Sequence, residues 1–307
     1  MHIVYNYKTT GGTMNVRELL KKPDLTYEAP HLAALAASFR CEVWDILHQR
    51  GTGHWGGASS VLELLTALYF HRLSIRTDHP DWEDRDRVIL SKGHASCALY
   101  TVLAHRGFFP AEMLPTFRML GSPLQGHPCM DKVAGVDMST GALGHGLSVG
   151  LGMALAAGLS SKKYWTYVIT GEGCLDEGQS WEALLCAAKY QPRGLVLLVD
   201  YNKVQLDGTQ DQIMPLSPLD EKLASFGWHV APSHYDGNDT ADILASFKWL
   251  DGDEVWPKAV IYDTVKGKGV PFTEGKSAWH GAKIDDASHA QGAIFLKEDA
   301  EKKEDVR

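Results

Sequence analysis

An acidic residue between two glycines is the part of the sequence with the clearest chemical potential. Glu172 stands in a Gly-Glu-Gly triplet directly after the apolar run 164–170, and Asn202, thirty residues later, follows a second apolar run, 195–200. At the carboxyl ends of parallel strands, helix N-termini offer free N–H groups to phosphates. An acid that faces a phosphate needs a cation between them, and Mg²⁺ binds carboxylate, amide and carbonyl oxygens. The spacing therefore predicts a magnesium-assisted phosphate site.

Other interpretations of the triplet follow from the residues alone. A dinucleotide site would need GxGxxG, but the third glycine here is Gly178, which gives GxGxxxxG with an acid in the first gap. A tight turn with Glu172 in solvent and Asn202 as a turn residue needs no ligand. The presence of Asn202 at the end of the following strand, thirty residues after Glu172, weakens that interpretation. Cys174, beside the triplet, would be a nucleophile only with a base, and no base pattern accompanies it. The spacing thus disfavours NAD and leaves a metal site or a plain turn.

The segments that would position these residues alternate between strand and helix patterns. Apolar runs bounded by turn residues predict strands within 86–96 and at 164–170, 195–200, 226–230 and 258–264. Apolar residues at helical spacing predict helices at 33–50, 61–73, 177–190 and 239–251. Gly51 is expected to cap the first helix, and Ser59 and Ser60 the second. The alternation predicts an α/β fold, a mostly parallel sheet flanked by helices.

A glycine-rich helix is expected within 141–160. Glycine lowers helix propensity, so the close approach of another backbone is expected to compensate there. This helix is predicted to be buried or to lie at an interface.

The composition excludes several classes of protein. With 307 residues, a net charge of -8 and a pI near 5.9, the chain lacks the basic excess that a nucleic-acid surface needs. No apolar run reaches the roughly eighteen residues of a membrane span, and the start of the chain lacks the layout of a signal peptide. The five cysteines are scattered and show no CxxC spacing. We expect a cytoplasmic protein with reduced thiols that binds neither nucleic acid nor membrane.

Several further blocks resemble, in sequence and in order, those of the transketolase family. The triplet followed by asparagine resembles the thiamine diphosphate signature, in which the acid is usually aspartate. The blocks are GTGHWGGASS (51–60), LSKGHA (90–95), GHP (126–128), STGALGHGLSVGLGMALA (139–156), GEGCLDEGQSWEA (171–183), DYNKVQLDG (200–208) and WHGA (279–282). The resemblance implies the thiamin diphosphate-binding fold. It divides the chain into an N-terminal extension (1–29), a diphosphate-binding domain (30–285) and a charged C-terminal tail (286–307). The charges of 297–307 predict that this last part is solvated.

The resemblance covers only the first domain of the family. The second domain of full-length transketolases holds the aminopyrimidine ring of the cofactor and supplies its activating glutamate. The chain therefore resembles the N-terminal subunit of a split transketolase, inactive alone and completed by a C-terminal subunit in an α2β2 assembly. The implied reaction transfers a two-carbon ketol unit from an anionic ketose to an aldose. It implies thiamine diphosphate with Mg²⁺, or Ca²⁺ or Mn²⁺ in its place.

The resemblance also implies a role for each cofactor-facing residue. Glu172, Asn202 and the carbonyl of Val204 match the metal ligands, and the N–H of Gly173 matches a diphosphate donor. The loop residues that match contacts to the aminopyrimidine are Gly141 and Leu143. Because Glu172 replaces the usual aspartate, its extra methylene predicts a shifted backbone, a water-mediated contact or a looser metal site. Asp176 is expected to be a supporting acid or a helix cap.

Four histidines and two glutamates match further family positions. His94 and His280 match residues near the diphosphate and substrate, whereas His54 and His127 match residues that line the substrate channel. Neutral or charged histidines there would stabilise alkoxides and move protons. The glutamates that match residues facing the other subunit, where they link paired active sites, are Glu177 and Glu182. The sequence thus predicts a catalytic histidine group and an acidic interface.

Three alternatives to a split transketolase remain from the sequence. The alpha subunit of a 2-oxo acid dehydrogenase shares the metal motif but transfers an acyl group to lipoamide. Deoxyxylulose phosphate synthase also shares the motif, although it normally carries all its domains in one chain. A non-catalytic relic of the fold is the third alternative, because the acid of the motif is altered. The histidines of SKGHA and GHP favour transketolase.

Overall fold

The computed structural model describes residues 6–9, 12–15 and 27–304 of the chain. The first two stretches are strands β1 (Asn6–Thr9) and β2 (Gly12–Asn15), which pair antiparallel. The other residues of the predicted N-terminal extension, up to residue 26, and the last three residues of the predicted tail lie outside the described residues. In the described ranges, no helix is long and apolar enough to cross a membrane.

A six-stranded sheet forms the centre of the molecule. Its strands pair in parallel in the order β3-β4-β5-β8-β6, and β7 also pairs with β8. The strands are β3 (Arg87–Leu90), β4 (Thr166–Gly171), β5 (Leu195–Tyr201), β6 (His229–Val230), β7 (Tyr235–Asp236) and β8 (Lys258–Asp263). The predicted parallel sheet is thereby confirmed, with the 226–230 strand reduced to two residues.

Helices cover both faces of this sheet. The long helices are α1 (Ala29–Arg50), α4 (Ser96–Arg106), α5 (His145–Leu159), α7 (Gly178–Tyr190), α10 (Thr240–Leu250) and α11 (Asp286–Glu304). The short ones are α2 (Trp55–Ser60), α3 (Leu62–Ala67), α6 (Glu172–Leu175), α8 (Gln210–Ile213) and α9 (Leu219–Ser225). A π-helical turn extends α3 through Leu68–Arg72, and 3₁₀ turns cover Gly93–Ala95, Ala111–Thr116 and Ser277–Trp279.

Strand β5 shows why the sheet is buried on both sides. Val196 and Leu198 belong to the core shared with α1, α3, α4 and α10, whereas Leu197 and Val199 belong to the core shared with α5, α7 and α9. Successive side chains of a strand point to opposite faces, so a continuous apolar run serves two helical layers. The three layers place the carboxyl ends of β3, β4, β5 and β8 along one edge.

The turn after α1 confirms one predicted cap and corrects another. Gly51 has a φ of 61° and its N–H bonds the carbonyl of His48, as a C-terminal glycine cap does. The prediction that Ser59 and Ser60 cap the following helix is wrong, because both lie inside α2. Their hydroxyls donate to carbonyls three residues earlier, at 3.1 and 3.3 Å. Serine hydroxyls can bond within a helix turn, so these two do not mark its start.

The glycines of α5 allow close packing on the sheet. A side chain at Gly146 would collide with Ser91, and one at Gly150 would collide with Val168 of β4. Both glycines are buried, which confirms the predicted close approach of this helix.

The charged C-terminal segment 286–304 is a helix, which corrects the expectation of a tail that is solvated from residue 297. These residues form α11, which packs on α1, and its residues Gly292, Leu296 and Ala300 are buried. Their spacing of four residues makes one apolar stripe on an otherwise charged helix. His289 also bonds Asp45 of α1 through Nε2 and Oδ1 at 2.7 Å. The helix completes the core rather than extending into solvent.

Candidate active site

The Gly-Glu-Gly triplet and Asn202 meet at the carboxyl edge of the sheet. Gly171 ends β4 and pairs with Asp200 of β5, so the residues that follow each strand are neighbours. Glu172 is 2% exposed and accepts the backbone N–H of Lys203 through Oε1. The side chain of Asn202 accepts the N–H of Val204 through Oδ1 at 3.2 Å. The parallel register thus brings the predicted metal-binding residues, which follow two neighbouring strands, together at one edge of the sheet.

Glu172 is a buried carboxylate without a cationic partner. Among the described residues, no lysine, arginine or histidine lies within ion-pair distance of it. Burial raises the pKa of Glu172 to about 8, and the nearby charge of Asp200 adds to this rise. A bound cation would favour the ionised form, so the site is electrostatically suited to a metal ion.

Asp200, one strand away, is fully paired. Its carboxylate bonds Lys92 and Thr264, and Ser60 donates to Oδ2 at 2.6 Å. Burial opposes ionisation, but the Lys92 ammonium and these hydrogen bonds hold the pKa of Asp200 below its usual value. Lys92 is itself 2% exposed. This network fixes the end of β5 beside the turn that carries Asn202.

A second buried lysine, Lys266, lies in the loop after β8. Its ammonium donates to the carbonyl of Val204 at 2.9 Å, to the carbonyl of Gln205 at 3.3 Å and to Nδ1 of His280 at 2.8 Å. The side chain is 2% exposed and has no carboxylate within ion-pair distance among the described residues. Burial lowers the pKa of Lys266 to about 8, and repulsion from Lys92 contributes. This cation therefore faces the site without a counter-ion.

The four predicted histidines form one group, and its centre is His54. The ring centroids of His94 and His280 lie 5.4 Å from that of His54, and the ring of His127 lies 6.3 Å away. The rings of His94 and His280 are 4.9 Å apart. His127 is exposed, whereas the other three are half-buried. The group thus runs from the interior to the surface, as a channel lining would.

These histidines are neutral at neutral pH. Burial lowers the pKa of His54 to about 4, with a contribution from Arg118, and it lowers the pKa of His280 to about 3, with a contribution from Lys266. Burial also lowers the pKa of His94 well below its usual value and lowers that of His127. A neutral imidazole has one donor and one acceptor nitrogen. The group can therefore both donate hydrogen bonds and accept protons.

Two loops that the sequence assigned to the cofactor also meet here. Gly141 has a φ of 149°, and a Cβ on it would lie 3.3 Å from the ring of His127. A Cβ on Gly173 would lie 3.5 Å from a methyl group of Leu143. Asp176 accepts a hydrogen bond from Gln205 at 2.6 Å. It does not cap α7, since no side chain caps that helix, and so it supports the loop after β5.

The two predicted interface glutamates lie outside this group. Glu177 and Glu182 are exposed at the start of α7 and within its first half. A side chain at Gly144 would meet Cβ of Glu177 at 2.6 Å, so the α7 start packs on the loop before α5. Their surface position is compatible with an interface, which stays a prediction.

The residues present fit a divalent metal and a diphosphate. No group of three His, Cys, Asp or Glu side chains suited to a metal occurs in the described part of the chain. The available donors at the turn are instead a carboxylate, an amide and a main-chain carbonyl, the oxygen ligands that Mg²⁺ accepts. The carbonyl of Val204 receives a hydrogen bond from Lys266, but a carbonyl has two lone pairs. Buried Lys266 offers a positive charge, and buried Glu172 offers a carboxyl group that a bound cation would ionise.

Sequence reasoning missed Lys92 and Lys266, the two buried lysines of the site. Lys92 stands inside the block LSKGHA, in which the family resemblance singles out the histidine. Lys266 stands in TVKGKGV, directly after the apolar run 258–264. A lysine between a predicted strand end and a glycine is a signal for a ligand-facing cation, because glycines there allow close backbone approach. Cys174, by contrast, is buried, and burial raises its pKa, which disfavours a nucleophile.

Comparison with known proteins places the chain among thiamine enzymes. The family described as transketolase, thiamine diphosphate binding domain, matches residues 32–303. The chain is 43% identical over 234 residues to the 6-deoxy-6-sulfo-D-fructose transketolase subunit SqwG of Clostridium sp. (strain MSTE9), covering 76% of this chain and 84% of that protein. It is 40% identical over 236 residues to an apulose-4-phosphate transketolase subunit of Phocaeicola vulgatus, covering 77% and 83%.

Solved structures show the same relationship at the level of the fold. The transketolase from Leishmania mexicana superimposes with a TM-score of 0.80 at 28% identity. The match covers 90% of this chain but only 42% of that protein. The chain thus spans about two fifths of a full-length solved relative, whereas it spans most of the two subunit-sized relatives.

Proposed function

Because this chain belongs to the transketolase family, we propose that it is the N-terminal subunit of a two-subunit transketolase. The proposed reaction moves a two-carbon ketol unit from an anionic ketose to an aldose and depends on thiamine diphosphate and Mg²⁺. The observation that carries the proposal is the convergence of an oxygen-rich turn and four neutral histidines at one edge of the sheet. That arrangement offers a metal, a diphosphate and an alkoxide their complementary partners in one place.

The residues of the turn would hold the cofactor. Glu172, Asn202 and the carbonyl of Val204 would bind the metal, and Gly173 would donate its N–H to the diphosphate. The remaining residues proposed to contact the cofactor are His94, His280, Gly141 and Leu143. When bound, thiamine diphosphate supplies the carbon nucleophile and electron sink of the reaction. The buried Glu172 carboxyl group and Lys266 ammonium support this proposal, because a bound metal would favour ionisation of the first and a diphosphate would compensate the second.

The histidines would handle protons and hydroxyl groups of the sugar. His54 and His127 extend from the half-buried centre of the group to the surface, which suits them to the path of a substrate. Since all four rings are neutral, each can donate to a developing alkoxide or accept the proton of a sugar hydroxyl group that becomes one. Because their pKa values are lowered, the rings stay neutral, and so keep both abilities, even at weakly acidic pH.

We propose that a separate C-terminal subunit completes the site in an α2β2 assembly. Two similar proteins carry the word subunit in their names, and they match this chain over most of their own length. The partner would supply the glutamate that activates the cofactor, and Glu177 and Glu182 would face a neighbouring subunit. A cytoplasmic location is part of this proposal and is supported by Cys97 and Cys174, which are buried and in no disulfide.

The proposed substrate is a sugar with a negative charge. One similar protein is named for a sulfonated ketose and another for a phosphorylated branched sugar. Both names describe an anionic sugar, and the lysines and arginine around the histidines make the site cationic. Sulfonate and phosphate share this charge, so a panel that includes both is required to tell them apart.

Reconstitution with the partner tests the proposal. The chain would be mixed with the C-terminal subunit, Mg²⁺ and thiamine diphosphate, and two-carbon transfer would be followed on phosphorylated and sulfonated ketoses. Pyruvate with a lipoyl acceptor is the control for a 2-oxo acid dehydrogenase. We expect transfer from a ketose by the complex and none by this chain or its partner in isolation. Acyl transfer from pyruvate without ketol transfer would overturn the proposal.

The altered acid of the motif favours one other candidate, a non-catalytic relic. Glu172 stands where the family usually has aspartate, and a longer carboxylate fits the octahedral demands of Mg²⁺ less easily. Thermal unfolding of the assembled complex separates the two candidates. An active enzyme gains several degrees with Mg²⁺ and thiamine diphosphate together, whereas a relic gains nothing.

A further inference from the structure

A groove in the loop before His127 is lined by cations and by no acidic residue. Its volume is about 560 Å³, and residues of the loop 118–125 line it together with Lys132. Among these described lining residues, Arg118 and Lys132 carry positive charge and none carries negative charge. The chain as a whole has a net charge of -8, so this local excess of positive charge would attract anions against the overall field.

Arg118 extends from this groove to the histidine group. Its guanidinium lies so close to Gly126 that a Cβ on the glycine would be 2.9 Å from Nε and 3.0 Å from Cζ. Gly126 directly precedes His127. The charge of Arg118 also contributes to the lowered pKa values of His54 and His127. The groove and the exposed end of the histidine group therefore share one cation.

The guanidinium of Arg118 has no partner in the protein. In the described part of the chain, no carboxylate lies within ion-pair distance of it and its side chain makes no hydrogen bond. An arginine side chain stays charged in proteins, and its N–H groups form a planar fork that matches the oxygens of a phosphate. Arg118 thus offers a permanent charge and a free donor set to a ligand.

The backbone of the loop holds Arg118 in a defined position. Its φ of 57° lies in the left-handed region, which few residues other than glycine adopt. Its N–H bonds the carbonyl of Leu124 at 2.7 Å, and the side-chain amide of Gln125 donates to the carbonyl of Ser122 at 2.6 Å. Strained backbone of this kind is found most often at ligand sites and active sites.

The opposite end of the histidine group lies next to the turn proposed to bind the metal. Nζ of Lys266 is 2.8 Å from Nδ1 of His280 and 2.9 Å from the carbonyl of Val204. The ring of His54 follows at 5.4 Å from that of His280, and Arg118 lies beyond it at the exposed end. A sugar whose reacting carbon is at the inner end would therefore extend toward Arg118.

We propose that Arg118 binds the terminal anionic group of the sugar, a phosphate or a sulfonate, and so selects charged over uncharged ketoses. The inference rests on the proposed function, because it concerns the substrate of the same site. Both anions present three oxygens to the N–H groups of the guanidinium, and Lys132 adds charge to the groove. The absence of a side chain at Gly126 leaves the space in which the guanidinium lies.

Anion binding by the full chain tests the site without partner or cofactor. Arginine side chains would be labelled with ¹⁵N, and the Nε–H signal of Arg118 identified by its loss in Arg118→Gln. Inorganic phosphate, and separately methanesulfonate, would be added at constant ionic strength. We expect a saturable shift of the Arg118 signal, whereas Arg193, which is exposed and paired with Glu254, should respond little. No shift with either anion would overturn the proposal.

Kinetics of the reconstituted pair test the selection of substrate. Loss of a hydrogen bond to a charged group weakens binding about 10–100-fold, so Arg118→Gln should raise KM for an anionic ketose by that factor. The same ketose without its anionic group should be affected far less. Arg118→Lys keeps the charge but not the fork and should recover part of the loss. Arg193→Gln is the matched control, and a rise of KM for only the phosphorylated or only the sulfonated ketose identifies which anion the site holds.

Gly126→Ala tests the position of the guanidinium rather than its charge. The new Cβ would collide with the flexible end of Arg118, so we expect a folded chain with a similar rise of KM for the anionic ketose. An equal rise for charged and uncharged ketoses in both variants would overturn the proposal and leave the proposed function standing. If the Arg118 signal responds to anions but the unsubstituted pair transfers no ketol unit, the proposed function fails and the anion site stands.

Discussion

Two sets of buried ionisable residues at the same edge of the sheet differ in whether they have oppositely charged partners. Lys92 and Asp200 form an ion pair, and Ser60 and Thr264 satisfy the remaining lone pairs. Glu172 and Lys266 are equally buried, but neither has an oppositely charged partner within ion-pair distance among the described residues. Burying an unpaired ionisable group is costly, and burial raises the pKa of Glu172 to about 8 and lowers that of Lys266 to about 8. The difference separates a pair that stabilises the strand ends from a carboxyl group and an ammonium suited to a ligand.

Breaking the paired set should have the largest effect. Lys92→Met leaves Asp200 buried without its cation, and we expect a loss of about 3–5 kcal/mol in the free energy of unfolding. Urea unfolding of the isolated chain measures it. The exposed pair of Lys203 and Asp263, 2.9 Å apart, supplies the control, because Lys203→Met should cost under about 1 kcal/mol. Equal losses in both variants would show that the buried pair stabilises the fold no more than the exposed pair does.

The pH dependence of stability should distinguish the histidine group from Asp200. The folded-state pKa of His54 is lowered to about 4 and that of His280 to about 3. Between about pH 6.5 and these values, the unfolded chain binds more protons, so stability falls as the pH is lowered. Because both rings are partly exposed, we expect on the order of 2 kcal/mol for the pair. The pKa of Asp200 is also lowered, but its contribution is lost only below about pH 4.

Urea unfolding over that pH range measures this loss. In His54→Gln the fall between about pH 6.5 and 4 should become shallower, while the fall at lower pH stays. Glu172, whose pKa is raised, contributes the opposite slope above about pH 4.5, but it does so equally in both chains. A profile of His54→Gln that is identical to that of the unsubstituted chain would therefore mean that His54 is not neutral in the fold.

Replacing the buried carboxyl group of Glu172 should raise the stability of the chain rather than lower it. Burial raises the pKa of Glu172 to about 8, so its ionisation costs stability as the pH rises above about 4.5, the ordinary value, and through 8. Without metal and cofactor, we expect Glu172→Gln to gain about 1 kcal/mol at neutral pH. Calorimetry of the chain tests this gain. No gain in stability would show that burying the carboxyl group of Glu172 costs little.

The same position tests the metal site. In the assembled complex, Glu172→Gln should lose the rise in Tm produced by Mg²⁺ and thiamine diphosphate. Glu172→Asp should bind both more tightly, because the shorter acid is the usual family residue. If Glu172→Asp leaves both affinities unchanged, the extra methylene does not disturb the site.

The smallest effect is expected at the exposed glutamates. Glu182 has no ion pair among the described residues and lies on the surface of α7, so Glu182→Gln should change the stability of the chain by less than about 0.5 kcal/mol. If the residue faces a neighbouring subunit, the variant should still weaken assembly, which sedimentation of the reconstituted pair would show. Unchanged assembly together with unchanged stability would remove Glu182 from the interface.

The parts that the sequence predicted are those set by local patterns. The apolar runs of β4 and β5, the cap at Gly51 and the turn at Glu172 follow from residue types within a few positions of one another. The grouping of the histidines came from the family resemblance, since no spacing in one sequence joins His54 to His280. Their placement within 5.4 Å depends on how separate loops fold over one edge.

The parts that the sequence did not predict depend on long-range contacts or on a minority of residues within a segment. Lys92 meets Asp200 across 108 positions, and Lys266 meets Val204 across 62, so neither partner marks the other locally. Among the residues of α11 whose burial the structure describes, only Gly292, Leu296 and Ala300 are buried, and the surrounding charges conceal that stripe. Ser59 and Ser60 suit a cap and an internal helix bond equally well.

The contact between α1 and α11 has a kinetic consequence. Asp45 and His289 bond each other although 244 residues separate them, and α11 covers the indole of Trp44, which donates to the carbonyl of His289 at 3.1 Å. On the ribosome, α1 emerges long before the helix that shields it. Closing so long a loop is slow, and uncovered apolar surface favours aggregation in the meantime. Folding yield should therefore depend on α11 more strongly than the charged composition of this helix suggests.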